Sequence, residues 1–499
     1  MPRRFLALAV VVSAPAAALG QQLPAPPSEQ CTEAPRSTTT AQAWLERAAA
    51  RVLPPSANGR VLRYRATQDR PMRDASDRTY EPYTPNMWTE IHWFDLATKM
   101  EGVQAPDRPL PPGSPPAQIF GLDTSVVMRG PTAYSFPSET YTATRTGMNP
   151  WTVLLDWQRH VADARLVERC TYREFPRIVL TRGRERLYLS ESDATPVKME
   201  RLEPDMFWGQ VKAEYIWTSW SSVVGGGIFP AAVFRALDGS IYERLRVNGP
   251  IATVPADSAP PLRVPAGSLD ASQDPLQARF TSPTVDTVRV ADNTFLLVGV
   301  RSTEAVTLVR DTVFLLDATL GNERARRDSA WIAALYPGRH PVVVVLSDVA
   351  WQHVGGLRFW VAFGATIVAN RISESFLRQV IDRRWTLAPD ELERVRRTAE
   401  FRFRGVRDSL VLGGGEVVVH ALRGSLTELG VGTWVRAAQF FWAGDYVQGP
   451  QGAVGGAGTL DVVATVRALG LHPQRVGAQH MKLTAWDQLE RQYGVANSP

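Results

Sequence analysis

The chain of 499 residues has little cysteine, no long apolar run beyond its N-terminus and no cluster of one charge. Neither of its two cysteines has a second cysteine or a histidine at zinc-finger spacing, which argues against a cysteine-ligated zinc site. Because no stretch beyond the N-terminus offers about 18 uninterrupted apolar residues, no mature transmembrane helix is expected. No run of five basic residues occurs, so the formal net charge of +5 does not predict a nucleic-acid partner.

The composition is that of a globular protein, with 44% hydrophobic and 21% charged residues. This balance excludes a disordered, fibrous or collagen-like chain. At about 100–200 residues per domain, the length predicts two to four domains.

Segment 1–20 has the layout of an export signal. Arg3 and Arg4 form its charged start, Phe5–Val12 its apolar centre, and Ala18–Gly20 places small residues at a cleavage site. The apolar centre is too short for a membrane span, so we expect an exported protein, periplasmic or extracellular. The alternative is an N-terminal helix that is not removed. Cleavage would lower the net charge from +5 to +3, because both arginines would be lost.

Residues 21–39 are predicted to be a linker, since proline and polar residues dominate the stretch after the signal. Cys31 lies in this linker, and in an exported chain it can form a disulfide with Cys170. Two unpaired thiols are the alternative, because pairing depends on a geometry that the sequence does not give.

Residues 40–265 are predicted to form an antiparallel β-rich domain. A short amphipathic helix at Thr40–Val52 is followed by apolar residues with a period of two. Asp238-Gly239 lies between two such runs, which is the pattern of a tight hairpin. Pro255–Pro275 is rich in proline, alanine, serine and aspartate, and residues 266–283 are assigned as the interdomain linker. The expected strands are Val61–Arg65, Glu90–Phe94, Arg177–Leu180, Arg186–Leu189, Val197–Leu202, Val211–Trp217, Ala231–Ala236 and Ile241–Val247.

Residues 284–499 alternate strands with helices, which predicts a layered α/β domain. Pro341–Leu346 is a continuous apolar run, expected to be a strand buried on both faces. The other expected strands are Phe295–Val300, Val306–Val309, Thr312–Asp317, Glu416–His420, Gln439–Trp442 and Arg475–Val476. The expected helices are Glu323–Leu335, Arg371–Arg384, Asp390–Arg397 and Thr484–Tyr493.

The segment Val342–Asn370 contains a buried strand, a loop, a histidine, two glycines, a helix and then the sequence GATIVA. It resembles the metal-binding segment of the metallo-β-lactamase superfamily, in which the strand ends in T-H-x-H-x-D-H. The resemblance continues in the family's order through Trp385–Asp390, Ala443–Asp445 and Gly477–His480, and it covers roughly Thr284 to Asn497. It implies an αββα sandwich for this domain.

Most of the family's metal ligands are missing from this sequence. The last histidine of the motif remains as His353, and the family's next histidine has no counterpart near Arg423–Ser425. The motif's threonine, first histidine, second histidine and aspartate are replaced by Ser347, Asp348, Ala350 and Gln352.

These losses affect the family's two metal sites unequally. One site has lost all three histidines, with Asp348 as the only candidate substitute. The other keeps His353, Asp445 and His480, while neutral Gln352 replaces a carboxylate. Two imidazoles and one carboxylate can hold a single Zn or Fe ion and leave coordination positions open. The resemblance therefore implies one metal ion at this second site, or none if the three residues are remnants held by packing.

The N-terminal block has a less specific resemblance to lipoprotein-carrier folds. It is carried by Asp193–Glu200 and by Tyr215–Trp220 followed by Ile228–Pro230. The aromatic face of such a sheet either packs on the second domain, which we favour because aromatics on one face of a sheet are usually core, or holds an apolar ligand.

Three functions remain open from the sequence. The first is an exported pseudoenzyme or weak single-metal hydrolase of the metallo-β-lactamase fold. The second is an active metal-dependent hydrolase whose partner is an unknown small molecule, and the third is an apolar-ligand binder. Gln352 removes both a ligand and the usual orienter of the attacking water, so we expect weak or absent hydrolysis.

Overall fold

The computed structural model describes residues 30–33, 38–54, 59–71, 85–106, 114–137, 147–172, 175–205, 207–274, 285–299, 302–422, 429–447 and 457–494. The predicted export signal 1–20 and the segment Arg423–Ser425 lie outside these residues. Among the described helices, none combines the length and the apolar character needed to cross a membrane.

The described residues form α-helices and three β-sheets. The described α-helices are α1 (Thr38–Val52), α2 (Pro150–Arg159), α3 (Asn322–Leu335), α4 (Trp351–Val354), α5 (Leu357–Ala362), α6 (Glu374–Asp382), α7 (Glu391–Val395), α8 (Ala457–Ala468) and α9 (Trp486–Gly494).

The first sheet contains the strands before residue 275. They are β1 (Gln30–Glu33), β2 (Arg60–Pro71), β3 (Pro85–Asp95), β4 (Met100–Gln104), β5 (Gln118–Phe120), β6 (Thr124–Arg129), β7 (Thr132–Pro137), β8 (Arg165–Tyr172), β9 (Phe175–Arg182), β10 (Glu185–Ser190), β11 (Pro196–Asp205), β12 (Gly209–Ser222), β13 (Ile228–Leu237), β14 (Ser240–Pro255) and β15 (Leu269–Asp270).

These strands form one sheet in the order β1-β8-β9-β10-β11-β12-β13-β14-β2-β3-β4-β5-β6-β7-β15. Neighbours pair antiparallel except β15 and β7, which are parallel. The predicted hairpin is present between β13 and β14, with φ of 49° at Asp238 and 85° at Gly239. Two consecutive left-handed residues match the twist of the flanking strands, which is why this dipeptide is favoured there.

Helices α1 and α2 pack on the apolar side of the first sheet. Leu45 of α1 and both Trp151 and Trp157 of α2 are buried in one core with Tyr215 of β12. The Trp151 indole donates a hydrogen bond to the backbone oxygen of Ile228 at 3.0 Å. Helices of the same region therefore occupy this aromatic face.

Residues 266–274, the described part of the segment assigned as a linker, contact the first sheet. Strand β15 extends the first sheet, and Asp274 is fully buried. The Asp274 carboxylate lies 3.4 Å from the guanidinium of Arg129 on β6. Composition alone suggested an exposed tether, but Leu269 and Asp270 pair with β7, and a 3-10 turn at Ala271–Gln273 leads from them to the buried Asp274.

The two cysteines, whose pairing the sequence left undecided, form a disulfide. Cys31 of β1 lies directly opposite Cys170 of β8 in the antiparallel register, and the two sulfurs are bonded. The bond fastens the edge strand β1 to the sheet.

Two further sheets follow. The second has the order β16 (Asp286–Ala291), β17 (Thr294–Val298), β18 (Thr303–Val309), β19 (Thr312–Leu316), β20 (Val342–Val345), β21 (Thr366–Asn370) and β22 (Arg402–Val406). The third has the order β23 (Ser409–Leu412), β24 (Val417–Ala421), β25 (Val431–Val435), β26 (Phe440–Trp442), β27 (Arg475–Ala478) and β28 (Met481–Ala485).

The second and third sheets share an apolar core. Val345 of β20 belongs to the same cluster as Val419 and Trp442 of the third sheet. Its neighbour Val344 points the other way, into the cluster that includes Phe359 of α5. Alternate residues of β20 thus bury opposite faces, which explains the uninterrupted apolar run. Helices α8 and α9 pack on the far side of the third sheet.

The first sheet also packs against the C-terminal region. The turn between β11 and β12 places Trp208 against Phe376 of α6, with ring centroids 5.4 Å apart, and Phe207 lies beside both. Arg383 donates hydrogen bonds to the backbone oxygens of Trp208 at 2.8 Å and Gln210 at 2.7 Å. The two regions therefore bury side chains in a common core.

Candidate metal centre

Three side chains that are distant in the sequence converge at one edge of the C-terminal sheets. His353, Asp445 and His480 each offer a ligand atom, and these atoms all lie within 4.8 Å of one another. Nε2 of His353 is 3.9 Å from Oδ2 of Asp445, and Nε2 of His480 is 3.3 Å from Oδ1 of Asp445. The His353 side chain is 4% exposed and that of His480 is 38% exposed, so the cluster opens to solvent on the His480 side.

The sheet topology explains this convergence. Strands β26 and β27 are parallel neighbours, so the residues after both strands lie at the same edge. Asp445 follows β26 and His480 follows β27, while His353 lies on α4 beyond the end of β20. The backbone N–H of Gln479 donates to the oxygen of Gly444 at 2.9 Å, which links the two loops.

Ser347 and Gly444 bring the edges of the two C-terminal sheets together. The backbone oxygen of Ser347 accepts a hydrogen bond from Val431 at 2.8 Å, at the start of β25. Gly444 has φ of 58°, and a Cβ there would collide with the Ser347 side chain. A glycine directly before Asp445 is therefore needed for this approach.

Asp348 contacts the opposite side of the His353 ring from Asp445. Both carboxylate oxygens of Asp348 lie 2.7 Å from Nδ1 of His353, and Oδ1 also accepts from the backbone N–H of Ala350 at 2.9 Å. The sequence offered Asp348 as a candidate substitute ligand, but the structure places it behind the imidazole, outside the group of three. Burial alone would lower the pKa of His353, but the charge and hydrogen bond of Asp348, assisted by Asp445, raise it to about 9.

Gln352, the other candidate ligand, is held through its backbone. Its backbone oxygen accepts a hydrogen bond from Leu320 at 2.8 Å, so it helps to hold α4 against the loop after β19. Ala350 has no side-chain donor. The cluster accordingly contains one carboxylate and two imidazoles.

Sequence reasoning missed Asp317, which lies directly beneath the cluster and is fully buried. It accepts hydrogen bonds from the Ser347 backbone at 2.7 Å and hydroxyl at 3.0 Å, from the Trp442 indole at 2.8 Å and from the Gln479 amide at 2.8 Å. Burial, and then the charge of Asp348, raise the pKa of Asp317 to about 6. Its signal in the sequence was a single aspartate ending an apolar strand.

The donor chemistry of the cluster fits a metal ion. Imidazole nitrogen and carboxylate oxygen are ligands of both Zn²⁺ and Fe²⁺, and three protein ligands leave coordination positions for other molecules. Among the described residues, the other group of three metal-ligating side chains contains Cys31 and Cys170, whose sulfurs are used by the disulfide.

Solved structures similar to this chain are metallo-β-lactamases, the family that the sequence resembles. The enzyme from Hirschia baltica is 12% identical over 43% of this chain and 99% of its own, with a TM-score of 0.33. The enzyme from Pontibacter korlensis is 14% identical over 43% of this chain and 100% of its own, with a TM-score of 0.33. The mono-zinc form of FIM-1 from Pseudomonas aeruginosa is 14% identical over 42% and 94%, also with a TM-score of 0.33.

No protein-family model and no curated protein matches the chain.

Proposed function

We propose that the C-terminal region is an αββα domain of metallo-β-lactamase type that holds one divalent metal ion on His353, Asp445 and His480. The observation that carries this proposal is the convergence of these three ligand atoms within 4.8 Å. The site opens to solvent beside His480, so a small molecule could reach the ion. Zinc and ferrous iron are both consistent with the ligands.

We further propose that the site hydrolyses substrates weakly or not at all. A bound metal ion would polarise a substrate oxygen and acidify a water molecule. The chain supplies little to complete such a reaction, because Asp348 is engaged with His353 and Gln352 cannot accept a proton. A binding role, or slow single-metal hydrolysis of a small molecule, fits these residues better than rapid turnover.

Export of the mature chain from about residue 21 remains part of the proposal. The Cys31–Cys170 disulfide supports it, because such bonds persist in oxidising compartments. We propose two regions, a β-rich region from residue 40 and a metal-binding region from residue 284 to 499. The first region acts as a packed partner of the second, in keeping with the helices that fill its aromatic face.

Elemental analysis of the purified mature protein tests the metal proposal. After incubation with zinc and removal of excess ion, the wild type should retain one zinc ion per chain. His480→Ala should retain none, while His472→Ala, which changes another exposed histidine, should behave like the wild type. Retention of two ions per chain, turnover of a β-lactam, thioester or phosphodiester at ordinary enzymatic rates, or a metal-free wild type would contradict the proposal.

A further inference from the structure

We propose that Asp348 is a positioning residue for the metal site, because it holds the Nδ1–H of His353 so that Nε2 faces the ion. It also places a negative charge behind the imidazole, which neutral Gln352 does not supply. This inference rests on the proposed function, because it concerns the same ion.

The geometry fixes the orientation of the His353 ring from one side. Both oxygens of Asp348 are 2.7 Å from Nδ1, and the backbone N–H of Ala350 holds Oδ1 in place at 2.9 Å. On the other side, the 3.9 Å between Nε2 and Asp445 is too long for a hydrogen bond. Asp348 is thus the group that anchors the ring, and Nε2 is left facing Asp445 and His480.

The chemistry of the pair determines which nitrogen is available. An ionised carboxylate only accepts hydrogen bonds, so Nδ1 must carry a proton. A metal ion then takes the lone pair of Nε2 in the neutral ring. A carboxylate behind a metal-bound histidine fixes this tautomer and makes the imidazole a stronger ligand.

The position of Asp348 also bears on the charge of the site. Asp445 is the single anionic ligand in the cluster, because neutral Gln352 stands where the related motif has aspartate. Asp348 adds a second negative charge one imidazole away from the ion. The substitution of the motif's first histidine by aspartate therefore removes a ligand of one site and reinforces the remaining site.

Three variants of the mature protein separate three effects on metal binding: loss of the Asp348 charge, loss of its hydrogen bond to His353, and loss of a negative charge elsewhere on the protein. Asp348→Ala removes the acceptor and the charge, whereas Asp348→Asn keeps an acceptor oxygen and loses the charge. Asp292→Asn is the control, because its side chain is 97% exposed on the turn between β16 and β17. Affinity for Co²⁺ and Zn²⁺ is measured by chelator competition, together with the visible absorption of the Co²⁺ complex.

We expect Asp348→Ala to bind both ions roughly 10- to 100-fold more weakly than the wild type, with a changed Co²⁺ spectrum. Asp348→Asn should recover part of the affinity and most of the spectrum, and Asp292→Asn should match the wild type. Nitrogen-15 histidine spectra should show a protected Nδ1–H in the wild-type complex that is lost in Asp348→Ala.

Equal affinity and identical spectra for the wild type and Asp348→Ala would overturn the positioning role while leaving the metal site intact. A wild type that binds neither ion would overturn the proposed function itself, and the inference with it. If Asp348→Ala does not fold, Asp348→Asn decides: an affinity and an Nδ1–H signal equal to the wild type would show that the charge contributes nothing.

Discussion

Two buried histidines, one in each region, lie between pairs of carboxylates. In the first sheet, Nδ1 of His92 is 2.9 Å from Glu101 and Nε2 is 3.2 Å from Glu90. The ring stacks on Tyr64 with centroids 4.6 Å apart, and both Tyr64 and Asn149 donate to Glu101. Both ring nitrogens thus have close carboxylates within a buried group.

The cluster around His353 differs from that around His92 in the distance from Nε2 to its carboxylate and in its exposure to solvent. Asp348 binds Nδ1 closely, but Nε2 lies 3.9 Å from Asp445 and faces the partly exposed His480. His92 is buried with a carboxylate close to each ring nitrogen, which leaves it no side open to an ion. A histidine with one nitrogen held and the other facing further ligands across an open space can bind an ion. Residue type alone does not separate these two cases.

The largest expected effect concerns Asp317, a buried carboxylate that is saturated with hydrogen bonds beneath the solvent-accessible cluster of His353, Asp445 and His480. Asp317→Ala should lower the free energy of unfolding by about 3 kcal/mol or more, because it leaves several buried donors without an acceptor. Denaturant unfolding measures the change. Asp311→Ala, at an exposed turn, should lie within about 0.5 kcal/mol of the wild type. Equal stability of the two variants would mean that the Asp317 network contributes nothing.

A second prediction separates the two histidines by their response to zinc. At a free zinc concentration about 100 times the dissociation constant, the wild type should gain about 2.7 kcal/mol in unfolding free energy. His92→Gln should show the same gain from a lower starting stability, because its cluster is closed. His353→Gln should show no gain. Thermal melts with and without zinc decide this, and a lost response in His92→Gln would contradict the distinction.

The smallest expected effect concerns pH and the His92 cluster. Burial alone would lower the pKa of His92, but the hydrogen bond with Glu101 and the nearby charges of Glu101 and Glu90 raise it above 6.5. The cluster's contribution to stability is therefore fully present below about pH 6.5 and is lost as the pH rises through the folded-state pKa. The difference in unfolding free energy between the wild type and His92→Gln should shrink from pH 6 to higher pH. A difference that grows with pH would refute this.

Parts of the fold followed from local patterns in the sequence. The hairpin at Asp238-Gly239 and the buried strand β20 were predicted because turn chemistry and apolar runs act locally. Helix α2 was missed, although Asn149 caps it by accepting from the N–H of Trp151, and Pro150 stands at its first turn. Both signals were in the sequence but were outweighed by the surrounding strand pattern.

The candidate site was only partly predictable. The three proposed ligands were found through the order of motifs in the family that the sequence resembles, and the structure brings them together. The role of Asp348 could not be read from spacing, because the short helix α4 decides which ring nitrogen of His353 meets which carboxylate. Asp317 was missed because its donors come from three segments that meet only in the folded chain.

The turn that carries Phe207 and Trp208 has a consequence for how the molecule comes apart. These rings pack on Phe376, and Arg383 holds the backbone of the same turn, so neither region can loosen there without baring the other's apolar surface. Heat or denaturant should therefore disrupt the two regions in one cooperative event.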